Sequence, residues 1–254
     1  MSEELLVEIN DGVMVMTLNR PEAKNAVTKA MAEKIAATMD EFEASDEVHV
    51  AVLTGAGGAF CAGMDLKGFV KGELPTVPGR GFGGMTQYVG SKPIIAAVEG
   101  VALAGGLELA LACDLIVCAE KTRFGIPEVK RGLVAAAGGL LRLPRQIPPR
   151  IAMEYALTGD FFDAARAYEL GLINRVVGEG EALQEALAIA KNIAANGPLA
   201  VKASKEIIVK QSDWKTTEAF AEQMDIARPV IKSEDAKEGA RAFAEKRQPN
   251  WQGK

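Results

Sequence analysis

The chain opens with two alternating runs, "LLVEIN" and "VMVMTL", with Asp11-Gly12 between them. This pattern predicts an antiparallel hairpin turning at Asn10-Asp11-Gly12. The period then lengthens. Thr28 can cap a helix running to about Glu43, with Met31, Ile35, Met39 and Phe42 on one face. "HVAVLTG", "PIIAAVEG" and "DLIVCAE" are short apolar runs of strand length and predict buried strands. Residues 70–84 hold five Gly and two Pro in fifteen positions, which predicts a flexible loop and excludes a helix. Strands and helices alternate to about Val177, the signature of α/β layers.

From about Glu181 the period is helical throughout. "EALQEALAIAKNIAAN", "PLAVKASKEIIVKQ", "TTEAFAEQMDIARPVI" and "SEDAKEGARAFAEKR" are separated by Gly, Pro or Ser. Their apolar faces are too wide for a free-standing tail, so they must pack on the core, on another subunit, or both. The division expected is an α/β core over residues 1–196 and a helical region over 197–254.

Composition narrows the partners. The 254 residues are 48% hydrophobic and 25% charged, with a net charge of −5. That balance suits a soluble globular protein and argues against a nucleic-acid surface. No apolar run reaches the roughly 18 charge-free residues of a membrane span, and the N-terminus lacks a secretory pattern. Three cysteines without paired spacing fit a reduced, cytoplasmic setting. The single histidine, His49, rules out His-rich zinc sites; it alternates with valines and reads as a strand or surface residue. No metal is expected.

The chemistry centres on Glu108. It stands in "VALAGGLELALAC", otherwise an unbroken apolar and small run. A lone buried carboxylate is costly. "LELALA" after Gly105-Gly106 reads as a helix start, where free N–H groups and the helix dipole favour negative charge. Two readings stand at this point. Glu108 is a solvated first-turn residue, or it sits beside amides that polarise a substrate oxygen. Glu128, in "FGIPEV", comes twenty residues later and by itself reads as a surface residue at a strand end. Together the two carboxylates could face one cleft, hold one water between them and move protons. Neither the Rossmann nor the Walker phosphate fingerprint is present.

Taken in order, "LNRPEAKNAV", "FCAGMDL", "LAGGLELALACD", "FGIPEVKRGL", "LTGDFFDAARAYELGLINRVV" and "SEDAKEGARAFAEKRQPNW" resemble the enoyl-CoA hydratase/isomerase superfamily, the crotonases, over nearly the whole chain. The resemblance implies a spiral of ββα units. It also implies a C-terminal helical region used in trimer assembly, often with two trimers in a hexamer. The implied substrate is an acyl-CoA thioester whose carbonyl oxygen is held by the amides of Met64 and Gly105. Glu108 and Glu128 match the acid/base pair of the hydratases, so reversible water addition to a 2-enoyl-CoA is implied, with no separate cofactor. Ala26, Ala62, Asp65, Leu66 and Lys67 would line the CoA path, and Lys246 could approach the CoA phosphates.

One departure concerns the acyl pocket. Hydratases of simple fatty acyl chains commonly read Pro-Gly-Ala-Gly-Gly where this chain reads Ala135-Ala136-Ala137-Gly138-Gly139. That points to a substrate other than a short straight chain, such as a branched, cyclic or steroid-like one, and carnitine-type dehydration also fits. The alternatives to hydration are double-bond isomerisation, another crotonase-type acyl-CoA reaction, or acyl-CoA binding without catalysis.

Overall fold

The structure is a computed structural model that describes residues 3–254. Strand β1 (Leu5–Asn10) pairs antiparallel with β2 (Val13–Leu18), in register from Leu5↔Leu18 to Asn10↔Val13. Asp11 and Gly12 both have positive φ, the demand of a two-residue hairpin turn. Helix α1 (Lys29–Ala44) follows, with the Thr28 hydroxyl accepting the Met31 N–H at 3.0 Å. It buries Met31, Ile35, Met39 and Phe42. Strand β3 (Val50–Gly55) is buried along almost its whole length.

The glycine-rich stretch after β3 reaches helix α2 (Leu66–Val70). Where the sequence predicts a flexible loop, the structure has an antiparallel ribbon of β4 (Thr76–Val77) and β5 (Gly81–Phe82). Its glycines serve close approach: a Cβ on Gly84 would lie 2.2 Å from the Ala32 carbonyl oxygen of α1. Phe82 and Met85 are buried as a result.

Next come β6 (Ile94–Val98), β7 (Val101–Leu103), α3 (Gly105–Ala112), β8 (Leu115–Ala119) and β9 (Arg123–Gly125). A 3-10 turn over Pro127–Arg131 leads to α4 (Gly139–Gln146) and α5 (Pro149–Thr158). Strand β10 (Phe162–Asp163), α6 (Ala164–Glu169) and β11 (Arg175–Val177) close the α/β part. The main sheet runs β1-β2-β3-β6-β8-β11, parallel from β2 onward, and β10-β9-β7 form a second, smaller sheet.

Each face of the main sheet has its own core. One buries α1 and α3 with Phe42, Phe60, Leu107 and Phe124. The other buries Val50, Val52, Ile95 and Val117 under α7 (Ala182–Ala194). Helix α7 offers Ala182, Ala186 and Ala190, one turn apart, so its backbone lies close on the β-branched layer. Helices α8 (Pro198–Lys210), α9 (Ala219–Ile231) and α10 (Glu234–Glu245) come last. Lys205 anchors α8 to the Asp114 carboxylate (2.8 Å) and the Lys92 carbonyl (2.7 Å). These helices leave Ile208, Phe220, Ile231 and Phe243 exposed. No described helix is long and apolar enough to cross a membrane, and the described residues hold no cluster of metal-ligating side chains.

Candidate active site

Three backbone segments meet at a cavity of about 450 Å³ between the two sheets' loops, α2 and the 3-10 turn. The first runs from Asn25 to Asp65. Asn25 is fully buried and donates to the Ala56 and Ala59 carbonyls, which fixes the turn. The Ala62, Val27 and Asp65 amides then clamp residues 62–65 against 24–27, bonding to Lys24, Gly63 and Val27 carbonyls respectively. Alternation along this pairing leaves the Met64 N–H out of the clamp. Among the described residues it has no acceptor.

The second segment is the start of α3. Gly105 is its first residue, so its N–H has no intrahelical partner. Ala104 precedes it with φ +53° and ψ −129°, a conformation hostile to an L side chain. That ψ sets the plane of the 104–105 peptide and hence the aim of the Gly105 N–H. The two amides come from neighbouring strands of chain. A Cβ on Gly63 would sit 2.9 Å from the Ala104 Cβ and 3.3 Å from the Gly105 nitrogen. Met64 and Gly105 both line the cavity.

The third segment carries the carboxylates. Glu108 is buried, and its Oε1 accepts two N–H groups, from Ala137 and Gly139, each at 2.8 Å. Gly139 opens α4, so the carboxylate sits at a helix N-terminus that favours its charged form. Burial still pushes its pKa above the ordinary carboxylate value, with the two amides and the Arg142 charge opposing. The solvated alternative for Glu108 is therefore excluded. The glycine gives the carboxylate room, since a Cβ there would crowd Glu108 Oε1 at 3.1 Å.

Glu128 enters from the 3-10 turn. Its Oε2 is buried and, among the described residues, has no hydrogen-bond partner. Burial, reinforced by the Glu108 charge, pushes its pKa up to about 7, against the opposing pull of its own amide and of Arg131. The two carboxyls therefore differ in kind. Glu108 has acceptor geometry that suits the ionised form, and Glu128 keeps its proton into the neutral range.

Of the residues the sequence singles out, the structure gathers Glu108, Glu128, Met64, Gly105, Ala62 and Leu66 on the cavity wall. Four lie off it. Ala26 is half-buried, and its carbonyl accepts Arg20. Asp65 caps α2 through the Lys67 and Gly68 amides and pairs with Arg20 at 2.9 Å. Lys67 is exposed on α2, and Lys246 is exposed in the left-handed conformation just after α10. Sequence reasoning missed Phe82, Arg131, Leu133, Val134 and Phe161, which also form the wall. Only Arg131 carried a signal: in a 3-10 turn it stands one repeat after Glu128.

A cavity with paired carboxylates of unlike proton affinity, beside two free amides on a layered α/β frame, defines the class. The family model for enoyl-CoA hydratase/isomerase matches residues 8–254, and the chain belongs to that family. It is 41% identical, over the whole length of both chains, to carnitinyl-CoA dehydratase of Escherichia coli K12. Its fold matches an enoyl-CoA hydratase from Mycobacterium tuberculosis with a TM-score of 0.97 and 58% identity, covering 99% of each chain. A carnitinyl-CoA hydratase from Mycobacterium avium matches with a TM-score of 0.80 and 42% identity, covering 100% of each.

Proposed function

We propose that the chain adds water reversibly across the 2,3 double bond of a 2-enoyl-CoA thioester. The observation that carries this reading is the pair Glu108 and Glu128 on one cavity wall, beside the free Gly105 amide. The thioester oxygen lies between the Met64 and Gly105 N–H groups. Those donors strengthen their hold as the oxygen becomes an enolate, typically contributing about 2.7–4 kcal/mol for one donor.

Glu108, ionised and fixed by two amides, takes a proton from water as its hydroxide adds to the β-carbon. Glu128, protonated, gives its proton to the α-carbon. The cycle closes when Glu108 loses its new proton and Glu128 regains one from solvent. Dehydration is the same path run backward. Acid/base groups on this chain suffice for every proton moved, so the reading requires no metal or redox cofactor.

Loss of enoyl absorbance across a panel of 2-enoyl-CoAs, short, long, branched and ring-bearing, followed by identification of a 3-hydroxyacyl-CoA, tests the reading. A shifted enoyl-CoA would instead make the enzyme an isomerase. Saturable binding with no turnover would make it a binding protein. The exposed apolar residues of α8–α10 support assembly as a homotrimer or homohexamer. Three buried free thiols suit a cytoplasmic setting.

A further inference from the structure

The cavity wall carries a further charge on the segment that supplies Glu128. Arg131 ends the 3-10 turn Pro127–Arg131. Such a turn repeats every three residues, so side chains at 128 and 131 share a face. Both line the cavity. The Arg131 charge reaches the Glu128 carboxyl and pulls its proton affinity down.

Arg131 has no fixed counter-charge. Arg20, Arg80, Arg166 and Arg247 each meet a carboxylate. Among the described residues Arg131 meets none and donates no hydrogen bond. Glu108 is held by two amides, and Glu128 is half neutral near pH 7, so neither is a firm partner. Beside Arg131 the wall is apolar, made by Leu133, Val134, Ala136 and Phe161. Arg131 is itself exposed, as are Val134 and Phe161 on the same wall, so its guanidinium is open to an incoming anion. Lys24, which among the described residues also meets no carboxylate, lies beside Ala62, whose N–H bonds to its carbonyl.

We propose that Arg131 reads the far end of the acyl group, so that the cavity favours acyl chains ending in a carboxylate. The apolar wall covers the methylenes, and the planar guanidinium takes the two carboxylate oxygens. A quaternary ammonium there meets a like charge. Of the two rings on the wall, Phe82 is packed on Gly105 and Phe161 already carries the Arg123 guanidinium, 5.4 Å from its centroid. Carnitinyl-CoA, named for two of the relatives, carries that cation, so on this proposal it is a poor ligand for the chain. The proposal rests on the acyl-CoA reading above, but not on turnover.

Binding of saturated thioesters tests it directly. Calorimetry with glutaryl-CoA, valeryl-CoA and 4-trimethylammoniobutyryl-CoA compares an anionic, a neutral and a cationic end on similar chains. The wild-type protein should bind glutaryl-CoA at least about tenfold more tightly than valeryl-CoA, the scale of one charge-assisted contact. Within each variant the ratio is the readout, so any general loss of binding cancels. The ratio should fall to about one in Arg131→Gln, stay partly above one in Arg131→Lys, and invert toward the cationic thioester in Arg131→Glu. Equal wild-type affinities would overturn the proposal. So would an Arg131→Gln variant that weakens all three and free CoA alike, since Arg131 would then be holding CoA phosphates. Hydration of crotonyl-CoA and of the carboxylate-ended glutaconyl-CoA by the wild type, measured in parallel, separates the two readings. Hydration with a ratio of one retires only the Arg131 proposal, and a high ratio without hydration retires only the hydratase reading.

Discussion

The Phe82 ring lies directly over the α-carbon of Gly105: a Cβ built there would come within 2.5 Å of it. Phe82 arrives from the glycine-rich ribbon and Gly105 from the first turn of α3. An aromatic side chain thereby holds the amide proposed to bind the thioester oxygen. Gly105→Ala should push ring and helix apart and lower kcat by about 10²-fold, as for loss of one preorganised donor. Adding Phe82→Ala should recover a measurable part of that loss by making room. Steady-state hydration of a 2-enoyl-CoA by the wild type and these two variants reads the effect. Wild-type turnover by Gly105→Ala would show that the contact with the Phe82 ring does not position this amide.

Glu108→Gln and Glu128→Gln should each lower kcat by at least about 10²-fold while acyl-CoA binding persists. The double variant should lose far less than the product of the two, because both serve one addition step as a unit. Full activity in either single variant would assign its glutamate a structural part only.

Proton affinity gives a stability signature independent of activity. The folded pKa of Glu128, about 7, lies above the unfolded value near 4.5. Between these values the folded chain keeps a proton that the unfolded chain has released, so the group's stabilising contribution falls as pH rises through this window. Glu128→Gln should therefore match wild type in urea melts near pH 4 and exceed it near pH 8. A gain of about 1–2 kcal/mol allows for partial solvent screening. Equal midpoints at pH 8 would mean an ordinary Glu128. The same group predicts that kcat/KM for hydration falls as pH rises above about 7, because the acid is lost.

Assembly leaves its own test. Phe220 and Phe243 are 81% and 88% exposed, unusual for phenylalanine outside an interface. Sedimentation should give a trimer or hexamer at micromolar concentration, and Phe220→Asp with Phe243→Asp should shift it to smaller species. A monomeric wild type would show that these side chains have another role.

Much of this was readable from local pattern. Thr28 marked the start of α1, and Asp11-Gly12 marked the first turn, because caps and turns depend on residues close in sequence. Glu108 stood out because burying a carboxylate needs partners. What supplies them could not be read: the Ala137 and Gly139 amides lie about thirty residues on, and only the fold brings them round. Two-residue strands such as β4 and β5 carry no period, so their stretch reads as a loop. Phe82 was hidden for the same reason. Asp65 had a capping role visible only once α2 was in place.

Ala104 has a consequence for engineering. Its left-handed backbone is a position where glycine would relax the fold, with relief on the order of 1 kcal/mol. A screen for heat tolerance would favour Ala104→Gly. Yet that dihedral holds the 104–105 peptide in its present plane, and a freer backbone would let the donor wander. Selection for robustness and selection for turnover therefore pull against each other at a single torsion, and a thermostabilised version of this enzyme should leave residue 104 untouched.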